Sequence, residues 1–256
     1  MTLSARPPAF AVAQAHRWLA QNPSQALAHF TWVNNVTLAA GKCRFAHDGQ
    51  ATCLTRRRGL PFPAVAVFAE TAAAIPALAA ELVTRTEPVY SLVPMTVAAV
   101  LTEAVRVETI RPEWQMVFRG NARDLDPGPA RPLGRADLPA MMALARLGGA
   151  MVFTPRALRE GAFFGVFVGD ELVAMGGVQN ELPGWAEIGA IVTHPAHRRR
   201  GYAGHVVAAL VRYLQTRGQG VFLCLFQDNI AARNLYEKLG FTVVNALSLL
   251  RWRLPA

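Results

Sequence analysis

The sequence predicts an α/β protein with a mixed central sheet flanked by helices, and three observations carry that prediction. Apolar runs of strand length alternate with segments of helical period along the whole chain. Hydrophobic residues make up 52% of the 256 and charged residues only 17%, which is enough apolar material for a substantial core. Residues 124–132, Asp-Leu-Asp-Pro-Gly-Pro-Ala-Arg-Pro, stop any helix or strand and read as a linker. The chain is therefore expected to form an N-terminal α/β domain over residues 1–125 and a second domain over 130–256.

In the first half, residues 14–29 read as one or two short helices, and residues 43–54 as a hairpin turning at Asp48-Gly49. A buried strand at 65–68, a helix at 71–83, a strand at 89–93, a helix at 96–103 and one or two strands over 105–118 follow. In the second half Asp137 stands where a helix would start, ahead of Met141, Leu144, Ala145 and Leu147 at helical spacing. Thr154-Pro155 opens a second short helix. Strands at 163–168 and 172–178 join through Gly169-Asp170, and a third occupies 186–193. A helix over 201–216, a very apolar strand at 221–226, a helix at 229–239 and a strand over 241–250 complete the order.

The charge balance is basic, with 26 Lys and Arg against 17 Asp and Glu. Lysine occurs only at Lys42 and Lys238, so arginine supplies almost all of the excess, and it is spread along the chain. That distribution favours a local anionic ligand over a nucleic-acid platform. The longest apolar runs are interrupted well short of the ~18 residues a membrane span needs. The first residues lack the pattern of a secretory signal, so the expected compartment is the cytoplasm. Three distant cysteines make no disulfide framework. Cys43, His47 and Cys53 lack a fourth ligand and the spacing of a zinc site, so no metal is expected there.

The chemistry concentrates after the strand that begins near Glu187. It runs through His194-Pro195 into Arg198-Arg-Arg-Gly-Tyr-Ala-Gly204, a basic turn with small residues that opens directly into a helix. Free backbone N–H groups and the positive end of a helix dipole make such a turn a place for phosphate. About thirty residues on, Asn229-Ile-Ala-Ala-Arg-Asn-Leu-Tyr-Glu-Lys-Leu-Gly-Phe241 follows an apolar strand, with Ala232, Leu235 and Leu239 on one helix face and Gly240 at its end.

Together, Arg198-x-x-Gly201-x-Ala203 and this second segment resemble the GNAT superfamily of N-acetyltransferases, over roughly residues 131–250. The resemblance implies an acetyl-CoA co-substrate. Its pyrophosphate would rest on the backbone of Arg199, Arg200, Gly201, Tyr202, Ala203 and Gly204, and its pantetheine arm would lie along Ile191, Val192 and Thr193. Asn229 would meet the pantetheine or cap its own helix. Tyr236 stands at the family's usual general-acid position; its alternative is a Tyr packed between helix and sheet. Glu187, fourteen residues before Gly201, is the first candidate for the general base, with a solvated strand residue as the plain alternative and His194 ranked behind it. Cys224 lies in an apolar strand and reads as a core thiol, so attack by the amine is expected to be direct.

The first half carries no such turn. Arg56-Arg-Arg-Gly59 echoes Arg198-Arg-Arg-Gly201, but Pro61 removes an N–H that a phosphate would need. A long first half ahead of a complete second resembles the glycine N-acyltransferase-like branch, whose first half is a degenerate GNAT-like module. The expected reaction is acyl transfer to a primary amine of a small molecule or amino acid. A protein N-terminus or lysine is the alternative acceptor, and a non-catalytic CoA-sensing or nucleic-acid-binding module is the alternative from another class.

Overall fold

The computed structural model describes residues 1–60, 62–150 and 153–255, so the expectation at Pro61 lies outside the described residues. The chain divides into two compact units, Met1–Gln115 with Val244–Ala256, and Met116–Val243. Both changes of unit fall within long strands, β6 (Arg106–Phe118) and β12 (Phe241–Arg253), rather than in the proline-rich stretch 124–132.

The first unit holds a four-stranded antiparallel sheet in sequence order, β1 (Thr2–Ser4), β2 (Cys43–His47), β3 (Cys53–Arg57) and β4 (Val65–Phe68). The expected hairpin is present: Asp48 closes it by accepting from the backbone N–H groups of Gln50, Ala51 and Thr52. Three helices precede or separate these strands, α1 (Ala9–Gln21), α2 (Pro23–Ala28) and α3 (Phe30–Val36). Trp32 of α3 donates its indole N–H to the Cys53 carbonyl at 3.1 Å, and its ring meets Phe68 and Trp18. Helix α4 (Ile75–Ala80) is shorter than the 71–83 expected, because Pro76 sits in the first turn and fixes where the helix can begin.

Strand β5 (Val89–Pro94) is followed by α5 (Met95–Ala104). It pairs antiparallel with the far end of β12, Leu247 opposite Pro94 through Trp252 opposite Val89. Trp252 is fully buried and donates its indole N–H to Ser91 Oγ at 2.9 Å, while Ser91 donates to the Val65 carbonyl. Leu250 and Trp252 thus join the core formed by Leu54, Val67, Ile75, Leu78 and Leu101.

In the second unit the strand order is β11 (Gly220–Phe226), β10 (Trp185–Thr193), β9 (Glu171–Leu182), β8 (Phe163–Val168) and β7 (Arg131–Pro132). Strands β7 to β10 are antiparallel, and β10 and β11 run parallel. Helices α6 (Leu138–Gly148) and α7 (Ala157–Glu160) follow β7; α7 starts two residues beyond Pro155. Met141, Leu144 and Ala145 of α6 pack with Phe163, Met175 and Val192. Helix α8 (Tyr202–Gln215) buries Val206, Val207, Leu210, Val211 and Leu214. It packs where Gly176 leaves room on β9: a Cβ there would stand 2.2 Å from Ile191 Cδ1 and 3.0 Å from Val206 Cγ1. Helix α9 (Ile230–Lys238) ends at Gly240, whose φ of 91° supplies the left-handed turn into β12. Among the described residues no helix is long and apolar enough to cross a membrane.

Candidate active site

Strand β10 positions the candidate site. It pairs with β11 only from Trp185–Gly220 to Glu187–Phe222, so the two parallel strands keep company for three residues and part beyond Glu187. On its other side β10 loses register with β9 between Gly189 and Val192. Ala190, inside that irregularity, has φ of 50°, a left-handed conformation that costs a non-glycine residue roughly 1–2 kcal/mol. Bulges that re-aim a strand, and strain of this kind, gather at functional sites. The side chains around it face different ways: Val192 is buried against α6, and Ile191 lies over Gly176 toward α8.

After Thr193 the chain makes a short 3-10 turn at Pro195–His197 and enters the basic turn. Arg199 has φ of 62° and Gly201, the N-cap of α8, has φ of 83°. No side chain caps α8. The backbone N–H groups of Arg199, Arg200, Gly201, Tyr202, Ala203 and Gly204 have no acceptor among the described residues, and the first bond into the helix is His205 N–H to the Gly201 carbonyl. Arg198, Arg199 and Arg200 are exposed and have no ion-pair partner among the described residues. Six unsatisfied donors at a helix N-terminus, flanked by three guanidinium groups, fit a diphosphate. The turn is held from behind by His205, whose Nδ1 lies 3.1 Å from the Asp126 carbonyl oxygen.

Glu187 is buried rather than solvated, and Asn180 of β9 donates its side-chain amide to the carboxylate. Tyr236 is buried on α9 with its ring 5.9 Å from that of Phe241. Burial pushes its phenol up to about 12. Its hydroxyl has no hydrogen-bond partner among the described residues, although it is not among the polar atoms fully sealed from solvent. Asn229 takes the second of its two expected roles: its side-chain oxygen accepts from Ala232 N–H at 3.2 Å and caps α9. Cys224 is half-buried rather than fully enclosed.

The structure thus strings Ile191, Val192, Thr193 and Arg199 to Gly204 along one continuous path from β10 into α8. It places Glu187 at the fork of β10 and β11. Sequence reasoning passed over Asn180, which has no motif of its own, and a cluster beside the turn. Glu171, His194 and His197 bring carboxylate and imidazole ligand atoms within 4.8 Å of one another, the one such metal-capable group among the described residues. The spacing of the two histidines was visible; their carboxylate partner, on another strand, was not.

Comparisons with known proteins bear on the family and fold of this region. The FR47-like protein family matches residues 163–249, from β8 into β12. That stretch is an FR47-like domain of the GNAT family. A Bacillus subtilis (strain 168) protein named as an uncharacterized N-acetyltransferase, YobR, is 30% identical over 84 residues; the match takes in 32% of this chain and 34% of YobR, so this chain spans about a third of that relative's length. A GNAT-family acetyltransferase from Novosphingobium aromaticivorans DSM 12444 is similar in structure, with TM-score 0.67 and 26% identity over 79% of this chain and 89% of that one. A tandem GNAT protein from the clavulanic acid biosynthesis pathway shares the fold at TM-score 0.59 and 13% identity, covering 100% and 99% of the two chains. The GNAT domain therefore carries the bulged strand, the basic turn and α9.

Proposed function

We propose that the protein is an acetyl-CoA-dependent N-acyltransferase that acylates a primary amine on a small molecule or amino acid by direct attack. The observation that carries this reading is the row of six unpartnered N–H groups from Arg199 to Gly204 at the start of α8. They would take the pyrophosphate, with Arg198 to Arg200 adding charge, while the edge of β10 at Ile191 to Thr193 would pair with the pantetheine arm. Beyond Glu187 that edge is not paired with β11, which leaves its polar groups for a ligand.

Glu187 would accept the proton of the attacking amine, and Asn180 orients its carboxylate for that. Backbone N–H groups at the bulge around Ala190 would steady the developing oxyanion. Tyr236 would donate a hydrogen bond to the leaving thiolate. With its phenol near 12 it stays protonated, so it stabilises the sulfur as a donor more readily than it surrenders its proton.

The acceptor side has a candidate of its own. Leu133, Phe163, Gly177 and Gly189 form one cross-strand row from β7 to β10, so the end of β7 is level with the bulge. There Leu133, Leu138, Pro155 and Leu158 line an apolar pocket of about 330 Å³ with Arg135 and Arg159 beside them. An acceptor with an apolar body and an anionic group suits that lining. The first unit would serve as a degenerate GNAT-like partner module, a reading supported by the fold likeness to a tandem GNAT protein.

The test is thiol release from acetyl-CoA across a panel of amines. Amine-stimulated release that falls in Tyr236→Phe, together with a flattened acidic limb of the pH–rate profile in Glu187→Gln, supports the assignment. Release that no amine accelerates would overturn it.

A further inference from the structure

We propose that Glu171, His194 and His197 form a binding site for a divalent transition-metal ion of the zinc class, on the threshold of the basic turn. The three side chains converge from separate places: Glu171 opens β9, His194 follows the last residue of β10 and caps the 3-10 turn, and His197 closes that turn just before Arg198. Their ligand atoms lie within 4.8 Å of one another.

The spacings within the cluster favour coordination over direct pairing. His194 Nε2 is 3.6 Å from Glu171 Oε1 and His197 Nε2 is 3.3 Å from Glu171 Oε2. A charge-assisted hydrogen bond between such groups closes to about 2.7–2.9 Å. Two ligand atoms on a tetrahedral zinc, each about 2.0–2.2 Å from the ion, stand roughly 3.4 Å apart. The observed separations, each to a different oxygen of the Glu171 carboxylate, bracket that figure. Two imidazoles and a carboxylate are also the donor set of three-ligand zinc sites, in which the fourth position stays with water or an anion.

Access and protonation are compatible with this. Glu171 is more than half exposed, and the imidazoles are partly exposed at 25% and 16% of their side-chain surface, so an ion can enter from solvent. The Nδ1 of His197 is buried without a hydrogen-bond partner, so no neighbour fixes which ring nitrogen carries the proton, and Nε2 can ligate. His194 differs. Its Nδ1 accepts from Ala196 N–H at 3.2 Å, a bond that must open when Nε2 ligates and the ring proton moves to Nδ1. Metal binding is therefore coupled to the turn between His194 and His197, directly ahead of the six free N–H groups.

The site is tested on the full chain, free of any affinity tag, by equilibrium dialysis against Zn²⁺ and by the visible spectrum of the Co²⁺-loaded protein. Expected are one bound equivalent and the ligand-field bands of low-symmetry cobalt. In Glu171→Gln and in His197→Ala the affinity should fall tenfold or more, and in the exposed His16→Ala it should not change. Thermal melts of each variant without metal check that the fold persists, and added Zn²⁺ should raise the melting temperature of wild type and of His16→Ala but not of the two cluster variants. Absence of bound ion, or equal affinity in wild type and in both cluster variants, overturns the proposal. Both readouts are independent of acyl transfer, so they stand or fall apart from the proposed reaction.

Discussion

Replacing Gly201 by alanine tests the phosphate cradle at its hinge. Gly201 has φ of 83°, where an L-residue is strained by roughly 1–2 kcal/mol. Nothing else opposes the methyl group, since the nearest atom to an added Cβ is His205 Nε2 at 3.9 Å. The unfolded chain loses freedom when glycine becomes alanine, which offsets about 0.4–1 kcal/mol. The net loss is about 0.5–1 kcal/mol, or a fall in melting temperature of roughly 1–4 °C for a chain of this size. Gly204 supplies the opposite sign. It lies inside α8, and a Cβ there meets only Leu235 Cδ1 at an ordinary 3.7 Å, so Gly204→Ala should stabilise by up to about 0.5–1 kcal/mol. Differential scanning calorimetry of the two variants, followed by CoA titration, separates these effects. Gly201→Ala should also weaken CoA binding, because relaxing its φ re-aims the N–H groups on either side. A melting temperature that rises in Gly201→Ala, or moves the same way in both variants, would refute the reasoning about the turn.

Three further outcomes are expected. Tyr236→Phe removes a hydroxyl that has no partner among the described residues, so its melting temperature should stay close to wild type while turnover falls by about 10² or more; a large loss of stability would show that the hydroxyl is structurally bonded. Burial pushes the Glu113 carboxyl up to about 7, against the pull of Arg111, from an ordinary 4.5. The folded state keeps a proton that the unfolded state releases, so this contribution is complete below pH 4.5 and is lost as pH rises through 7. Glu113→Gln should then gain on the order of 3 kcal/mol at pH 8 and little at pH 4, as read from urea denaturation at both. Asn229→Ala should cost about 1 kcal/mol through the lost cap of α9, and an unchanged melting temperature would contradict the bond to Ala232.

Much of the second unit was legible because its strands are apolar runs bounded by turn residues. Gly169-Asp170 separates β8 from β9, and the helical period of α8 follows a glycine that can adopt positive φ. The first unit was harder. Helix α3, Phe-Thr-Trp-Val-Asn-Asn-Val, is buried on nearly every side, including Asn34 and Asn35, and its Thr, Trp and Val favour strands, so no polar face reveals its period. Strand β7 is two residues long and ends in proline, and only its pairing to β8 defines it. At the candidate site the turn and α9 announced themselves by motif. The fork at Glu187, the positive φ of Ala190 and the convergence of Glu171 on His194 and His197 arise from pairing across strands, and local sequence does not encode them.

The pairing of β5 with the end of β12 bears on how the chain is made. Residues 89–94 leave the ribosome some 150 positions ahead of their partners at 247–252. Until Leu250 and Trp252 arrive, the surface they cover around Ser91 and Val89 has no permanent neighbour, and β5 presents an open edge of the kind that invites misassembly. The first unit therefore cannot finish folding in the order of synthesis, whereas the second has all of its own residues as soon as position 243 is added. The late half should reach its native state no later than the early one, and a released chain truncated after residue 243 should hold a folded second unit and an unfinished first.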